Sequence, residues 1–432
     1  MAEQMAIPSE VSLLTAPELA TALAESAPLV LEAVLGAPLQ TSFIPGTVLL
    51  DLAEIDVFRE DALGSPLLVA DNYNLRPPQE LRAALERHGV HHKRFCVVYT
   101  QCRRHTTAAR NQPVRGHYYR YQQTPLREGV ADPIVAARLV WCLAHAGVER
   151  VALLDGGLSS WLERGLPTVT EPTPPIPVTD FFVGGAGRFP RHPEYCAAVE
   201  EVAAVVRAGD TLNAGDGAVL LGDVRSAREF RGEEYGHNYT YAMPCGRIPG
   251  ARCARWGAST FVGTDYYSPK SGALRPLNEV AALWRAAGLL QDGEDGEDAS
   301  AESARLIFYC GSGWRSALAW LIARLLGHPN AASFDGGIFE WCLEPPRQVE
   351  KGDPTGGAVR RVAAGQPRAA WAEATGWCHA ARKEDDCDDG PAGRDLMRRR
   401  RRAQLAAANV GRTRNMRDAS KFSESVYLSS AP

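Results

Sequence analysis

Leu306-Ile307-Phe308-Tyr309-Cys310-Gly311-Ser312-Gly313-Trp314-Arg315-Ser316-Ala317-Leu318-Ala319-Trp320-Leu321 reads as a strand, a turn and a helix in direct succession. Leu306 to Tyr309 is a short apolar run of the kind that lies buried in a parallel sheet. Gly311 and Gly313 let the backbone curl after it. From about Arg315 the apolar residues recur at helical spacing. A strand that feeds a helix through so short a turn is half of a β-α-β unit, and it points to an α/β fold.

Outward from this stretch the same alternation continues. Strands are expected at 217–221, 305–310 and 332–334, and helices at 194–208, 277–287 and 315–326. The pattern occurs twice. Ile44-Pro45-Gly46 is matched by Ile248-Pro249-Gly250, and Asp155-Gly156-Gly157 with Trp161 by Asp335-Gly336-Gly337 with Trp341. Each Asp-Gly-Gly closes a turn that asks for positive φ. The counterpart of Leu306–Cys310 in the first half is Phe95–Thr100, which puts Thr100 at the cysteine position. Between that strand and its Asp-Gly-Gly the first half carries about 30 extra residues, at about 101–130. Pro172, Pro174, Pro175 and Pro177 crowd into 171–178 and mark an extended linker. The expected organisation is a first domain at 9–170 carrying the insert, a Pro-rich linker at 171–193, a second domain at 194–345 and a disordered basic tail at 346–432. Each domain is a mostly parallel sheet flanked by helices.

The chain has 432 residues, 45% apolar and 23% charged, ordinary values for folded domains and not for a disordered or fibrous chain. No apolar run reaches the length of a transmembrane helix. Residues 1–10 carry neither a basic nor an apolar signal region, so the expected location is cytoplasmic, with a mitochondrial one left open. Net charge is −4, but 346–432 holds 17 basic and 11 acidic residues, a net of +6, which leaves the remainder at −10. An acidic body speaks against a nucleic-acid-binding core. Ten cysteines in a long chain without a secretory signal are expected to stay reduced.

Chemistry concentrates at Cys310. The backbone N–H groups of 311–315 converge on one spot, the helix directs the positive end of its dipole there, and Arg315 adds a charge. A cysteine so placed is expected to titrate low and to act as a nucleophile.

With these residues in view the chain resembles the tandem rhodanese-like sulfurtransferases, over about 11–341. The resemblance is carried by Cys310-Gly311-Ser312-Gly313-Trp314-Arg315, Asp223-Val224-Arg225, Gly246-Arg247-Ile248-Pro249-Gly250-Ala251 and both Asp-Gly-Gly stretches with their tryptophans. It implies two rhodanese-like domains, the second catalytic and the first not, in agreement with Thr100. It implies Cys310 as the nucleophile that takes a sulfane sulfur from thiosulfate or 3-mercaptopyruvate as a persulfide. The sulfur then passes to cyanide, a small thiol or a thioredoxin-like protein, with no cofactor and no metal. Gly311, Ser312, Gly313, Trp314 and Arg315 form the substrate-binding loop in this reading. Cys-Gly-Ser-Gly looks like a mercaptopyruvate-type loop, whereas Trp314-Arg315 resembles thiosulfate-type loops. Where animal members have an anion-binding arginine this chain has Glu229, so Arg225 and Arg247 are the candidate anion binders. A persulfide carrier or scaffold acting with a protein partner is the alternative. A cysteine-dependent phosphatase is the more distant one, because Cys-x4-Arg closes a shorter ring than the phosphatase Cys-x5-Arg.

Other features carry plainer expectations. His91, His92, Cys96, Cys102 and His105 lack paired metal-ligand spacing. Cys102 is a loop thiol or an exchange partner for the persulfide. The arginines and tyrosines of the insert are expected to be a solvated surface or a protein docking loop. The five arginines at 398–402 are expected in a solvated segment.

Overall fold

The computed structural model describes residues 11–35, 41–59, 67, 69–101, 133–184, 187–209, 217–233, 241–242, 246–257, 262–291, 304–343, 347–356, 358–364 and 368–369. The insert, Cys102, the arginine run and nearly all of the expected tail lie outside these residues.

Strand β1 (Val11–Leu14) leads through helix α1 (Ala16–Glu25) into β2 (Leu29–Val34) and β3 (Thr47–Asp51). Helix α2 (Pro78–Arg87), β4 (Phe95–Tyr99), α3 (Pro133–Ala146), β5 (Arg150–Leu154) and α4 (Gly157–Glu163) complete the first half. The second half runs β6 (Cys196–Ala197), α5 (Val199–Ala208), β7 (Val219–Asp223), α6 (Ala227–Arg231), β8 (Tyr241–Ala242), β9 (Arg252–Cys253) and α7 (Leu277–Ala286). It continues with β10 (Arg305–Tyr309), α8 (Trp314–Leu325), β11 (Ala331–Phe334) and α9 (Gly337–Leu343).

Two five-stranded parallel sheets result, in the orders β1-β5-β4-β2-β3 and β6-β11-β10-β7-β9. Apart from β8, the strands of each half fall in the same order, first-fifth-fourth-second-third, so the duplication read from the motifs extends to topology. Leu158 N–H donates to Thr100 O at 3.0 Å and Ile338 N–H to Cys310 O at 2.9 Å. The two strand ends are therefore structurally equivalent, as the alignment of Thr100 with Cys310 expects. The tryptophans also match: Trp161 Nε1 donates to Pro167 O and Trp341 Nε1 to Gln348 O. Each indole stitches the helix after Asp-Gly-Gly to the chain that leaves it.

The strands are short runs of Val, Leu, Ile and Phe buried on both faces, as parallel sheets require. Helix α3 is buried along all fourteen of its residues. Apart from Arg138 and His145 its residues are apolar, which places it in an interior, and α3 packs between its own sheet and α8 of the other half. This helix pair is the seam of the molecule.

Local boundaries shift from the expectations. The strand expected at 217–221 is Val219–Asp223, and the helix expected at 194–208 starts at Val199, after a short 3-10 turn and β6. Both differences arise because pairing and capping, which a single segment does not display, set the ends. A larger correction falls on residues 348–369 of the expected tail; residues 370–432 lie outside the described residues. Strands β12 (Gln348–Lys351) and β13 (Arg360–Ala363) form an antiparallel hairpin, and β14 (Arg368–Ala369) pairs with β8. Val349 is 1% exposed against Ile248 and Trp341. The segment was expected to be disordered because Gln348-Val349-Glu350-Lys351 is too short and polar to announce itself. Its stability comes from a partner surface 100 residues upstream.

Candidate active site

Strand β10 delivers Cys310 to the end of the second sheet, and the turn 310–313 passes directly into α8. Gly313 has φ +79°, a conformation costly for any residue with a Cβ. A Cβ there would clash with the Asp335 carbonyl and lie 2.5 Å from its carboxylate. Of the two expected turn glycines it is Gly313 that requires the left-handed backbone. In the Asp-Gly-Gly turns, Gly156 (+71°), Gly157 (+53°) and Gly337 (+56°) do so as well.

Cys310 is 2% exposed. Ser316 Oγ donates toward its Sγ at 3.9 Å, and Ser333 Oγ donates to Ser316 Oγ at 2.9 Å. Both serines are fully buried. Sequence reasoning missed this pair. Ser316 was quoted in the loop without a role, and Ser333 lies on β11, distant in sequence. The available signal was a hydroxyl on an otherwise apolar stretch of α8. The floor of the loop is the second Asp-Gly-Gly turn: Ile338 and Phe339 N–H donate to Cys310 O and Gly311 O at 2.9 and 3.0 Å. The first N–H groups of α8 have no carbonyl partner within the helix.

The surrounding arginines are engaged by protein groups. Arg315, 1% exposed, pairs with Glu229 through Nη1–Oε2 at 3.2 Å and lies over Trp256. Burial works against the Glu229 charge, but Arg315 and Arg225 outweigh it and hold the carboxyl below its ordinary range. Glu229 also closes the capping box of α6 with Ser226. The acid that stands in place of an anion-binding arginine is thus neutralised.

Arg225 pairs with Asp223 at 2.6 Å and donates to Gly246 O at 2.6 Å. Tyr309 OH donates to Asp223 Oδ2 and accepts from Ile248 N–H. One buried network therefore ties Asp223-Val224-Arg225 to Gly246-Arg247-Ile248 beneath β10. Arg247 lies on Phe230, donates to Gly352 O at 2.8 Å and faces Glu350 at 3.4 Å, which pins the β12 hairpin. Arg225 and Arg247, the expected anion binders, are both engaged by protein groups. The partners of Arg247 lie in the segment that was expected to be disordered. Ser312 is 9% and Trp314 3% exposed.

The first half reaches the same place. Asp335 Oδ2 accepts from Leu75 N–H at 2.7 Å, and Asp155 Oδ1 accepts from Leu274 N–H at 2.7 Å. The two Asp-Gly-Gly turns thus grip each other's halves reciprocally. The recipients, Leu75-Arg76-Pro77 and Leu274-Arg275-Pro276, are themselves a repeat that the motif reading overlooked. Both arginines make i,i+4 pairs, with Glu80 and Glu279. Arg138 of α3 joins Asp335 at 2.5 Å and Asp56 at 2.8 Å, all three buried.

Residues 210–344 match the model of the rhodanese-like domain. The chain is 27% identical over 327 residues to the thiosulfate sulfurtransferase YnjE of Escherichia coli, covering 75% of this chain and 60% of that protein. It is 29% identical to the sulfur carrier protein TtuD of Thermus thermophilus, covering 48% and 63%. Among solved structures it resembles the anaerobic ergothioneine biosynthesis enzyme of Chlorobium limicola bound to trimethyl histidine. The TM-score is 0.60 at 27% identity, over 79% of this chain and 70% of that one. The chain spans less than two thirds of the length of these curated relatives. Residues 210–344, within the second α/β half, thus match the rhodanese-like domain, and the chain resembles proteins named as thiosulfate sulfurtransferases. Among the described residues, no helix is long and apolar enough to cross a membrane.

Proposed function

We propose that this chain transfers a sulfane sulfur through a persulfide on Cys310. The observation that carries the reading is Cys310 itself, at a strand end directly before α8, with the Ser316–Ser333 hydroxyl pair at its sulfur. The Cys310 thiolate attacks the outer sulfur of thiosulfate, a sulfur–sulfur bond forms, and sulfite leaves with the electron pair of the bond that breaks. With 3-mercaptopyruvate the carbon–sulfur bond breaks and the enolate takes a proton to become pyruvate. Cyanide or a thiolate then attacks the outer sulfur of the persulfide and the Cys310 thiolate is regenerated. The sequence calls for no metal or organic cofactor. Gly311, Ser312, Gly313, Trp314 and Arg315 line the reacting sulfur in this reading, and N–H donors of the loop hold the anion. Thiosulfate is the preferred donor and 3-mercaptopyruvate the next. The location proposed is the cytoplasm.

The similarity to a protein named as a sulfur carrier, together with the 2% exposure of Cys310, favours a second reading. In it the persulfide is handed to a protein partner and free donors turn over slowly. Phosphatase chemistry is disfavoured because Arg315 is committed to Glu229. The test is thiocyanate production from thiosulfate and from 3-mercaptopyruvate in parallel, with wild type and Cys310→Ala. Turnover by wild type alone supports the enzyme and ranks the donors. A mutant with wild-type rate refutes the role of Cys310, and a wild type that loads a persulfide without turning over supports the carrier.

A further inference from the structure

We propose that Arg138, carried by the half that lacks the cysteine, is a positioning residue for the Cys310 loop and acts through Asp335. The proposal rests on Cys310 as the reacting group. Arg138 sits fully buried in the middle of α3, a helix otherwise dominated by apolar residues. Its Nη1 donates to Asp335 Oδ1 at 2.5 Å, its Nη2 to Asp56 Oδ1 at 2.8 Å and to Tyr73 O at 3.3 Å. The same Nη1 lies 3.0 Å from where a Cβ on Gly313 would stand. Asp335 presses on Gly313, and the turn it opens supplies the N–H groups that hold Cys310 O and Gly311 O. An unbroken series of contacts thus runs from Asp56 through Arg138 and Asp335 to the cysteine turn.

The repeat shows that this guanidinium is not a packing requirement. Arg138 stands 17 residues before Asp155, and the residue 17 before Asp335 is Leu318. Asp155 makes the same backbone bond across the seam as Asp335, but no ion pair among the described residues. One repeat fills the position with leucine, whereas the other buries a charge there, at a desolvation cost that apolar packing would avoid. The buried charge faces the loop that has the cysteine. The other cations near Cys310, Arg315 and Arg225, are matched by Glu229 and Asp223. Arg138, although shared between Asp56 and Asp335, places its Nη1 beneath the turn itself. Its removal is expected to loosen the seat of the loop and to withdraw positive potential from the thiolate.

The test uses the full chain with Arg138→Met/Asp56→Asn, which removes the guanidinium together with one carboxylate it serves. Circular dichroism and thermal unfolding establish that the variant folds. Two readouts follow: steady-state sulfur transfer, and the pH profile of Cys310 alkylation by iodoacetamide, read by peptide mass spectrometry. The expected result is a roughly tenfold fall in kcat with KM changed by less than about threefold. The alkylation midpoint is expected to rise by about one pH unit, and Arg138→Lys to restore part of both effects. A folded variant with wild-type kcat and a wild-type alkylation profile overturns the proposal. If the double variant does not fold, Asp335→Asn cuts the same link and keeps an oxygen for Leu75 N–H; because the Arg138 charge stays in place, it is judged by kcat, and a folded variant with wild-type kcat overturns the proposal. If wild type itself transfers no sulfur, the proposed function falls, whereas the alkylation profile still decides the role of Arg138.

Discussion

The sulfur of Cys310 stands at the end of a two-hydroxyl relay, Ser333 to Ser316 to Sγ. A hydroxyl that donates to a developing thiolate stabilises the charged form more than the thiol. Ser316→Ala is expected to slow single-turnover persulfide formation about tenfold, equivalent to about 1.4 kcal/mol. Ser333→Ala, which acts one bond further away, is expected to cost about threefold. Equal rates in both variants and wild type would remove the relay from the mechanism. Glu229 makes a different kind of prediction. Truncating one member of a buried pair strands the other, so Glu229→Gln is expected to lose about 3–5 kcal/mol of stability in urea unfolding. Adding Arg315→Met should recover much of that loss, because the stranded charge is gone.

Elements hold these residues in place by exact turns and by strand pairing. The β10–α8 turn depends on Gly313 at φ +79° with no room for a side chain. Gly313→Ala is expected to reduce sulfur transfer by at least about a hundredfold, since small displacements of a reacting group cost that much. Its thermal midpoint should fall as well, because about 1–2 kcal/mol of left-handed backbone strain is introduced. The β12–β13 hairpin invites a direct check. Val349 is 1% exposed on the second half's core, so Val349→Asp is expected to destabilise by at least about 3 kcal/mol. A segment without structure would tolerate the change, and an unaltered urea midpoint would restore the reading of a disordered 346–364.

Among the described residues the two five-stranded halves share one topology and meet through α3 and α8, and this seam carries a titration. Burial, with Arg138 opposing it, pushes the Asp56 carboxyl from 3.8 up to about 7. The folded chain therefore keeps this proton where the unfolded chain has lost it. The associated stability is fully present below the unfolded pKa and is lost as pH rises from about 4 to about 7. Urea midpoints across this range should fall more steeply in wild type than in Asp56→Asn, and parallel curves would exclude Asp56 as the source. The seam also gives a role to a half that has Thr100 where the other has Cys310. It supplies Leu75 N–H, Arg138 and Asp56 to the turn beneath Cys310.

Much of this was legible in the chain itself. Apolar runs that lead into helical periodicity specify strand, turn and helix through local physics, and their recurrence marked the duplication with Thr100 opposite Cys310. The cysteine, its glycines and the two Asp-Gly-Gly turns were visible because each encodes a local backbone demand. Tertiary structure decided what those demands serve. Ser316 and Ser333 meet across a helix and a strand, Arg315 turns to Glu229, and Arg247 finds Gly352 and Glu350 in a segment with no signal of its own. Arg138 joins a carboxylate 197 residues away. Local sequence determines backbone conformation because sterics and hydrogen bonding act over a few residues. The partner of a buried charge is fixed only when packing removes water from both, and that is a property of the assembled fold.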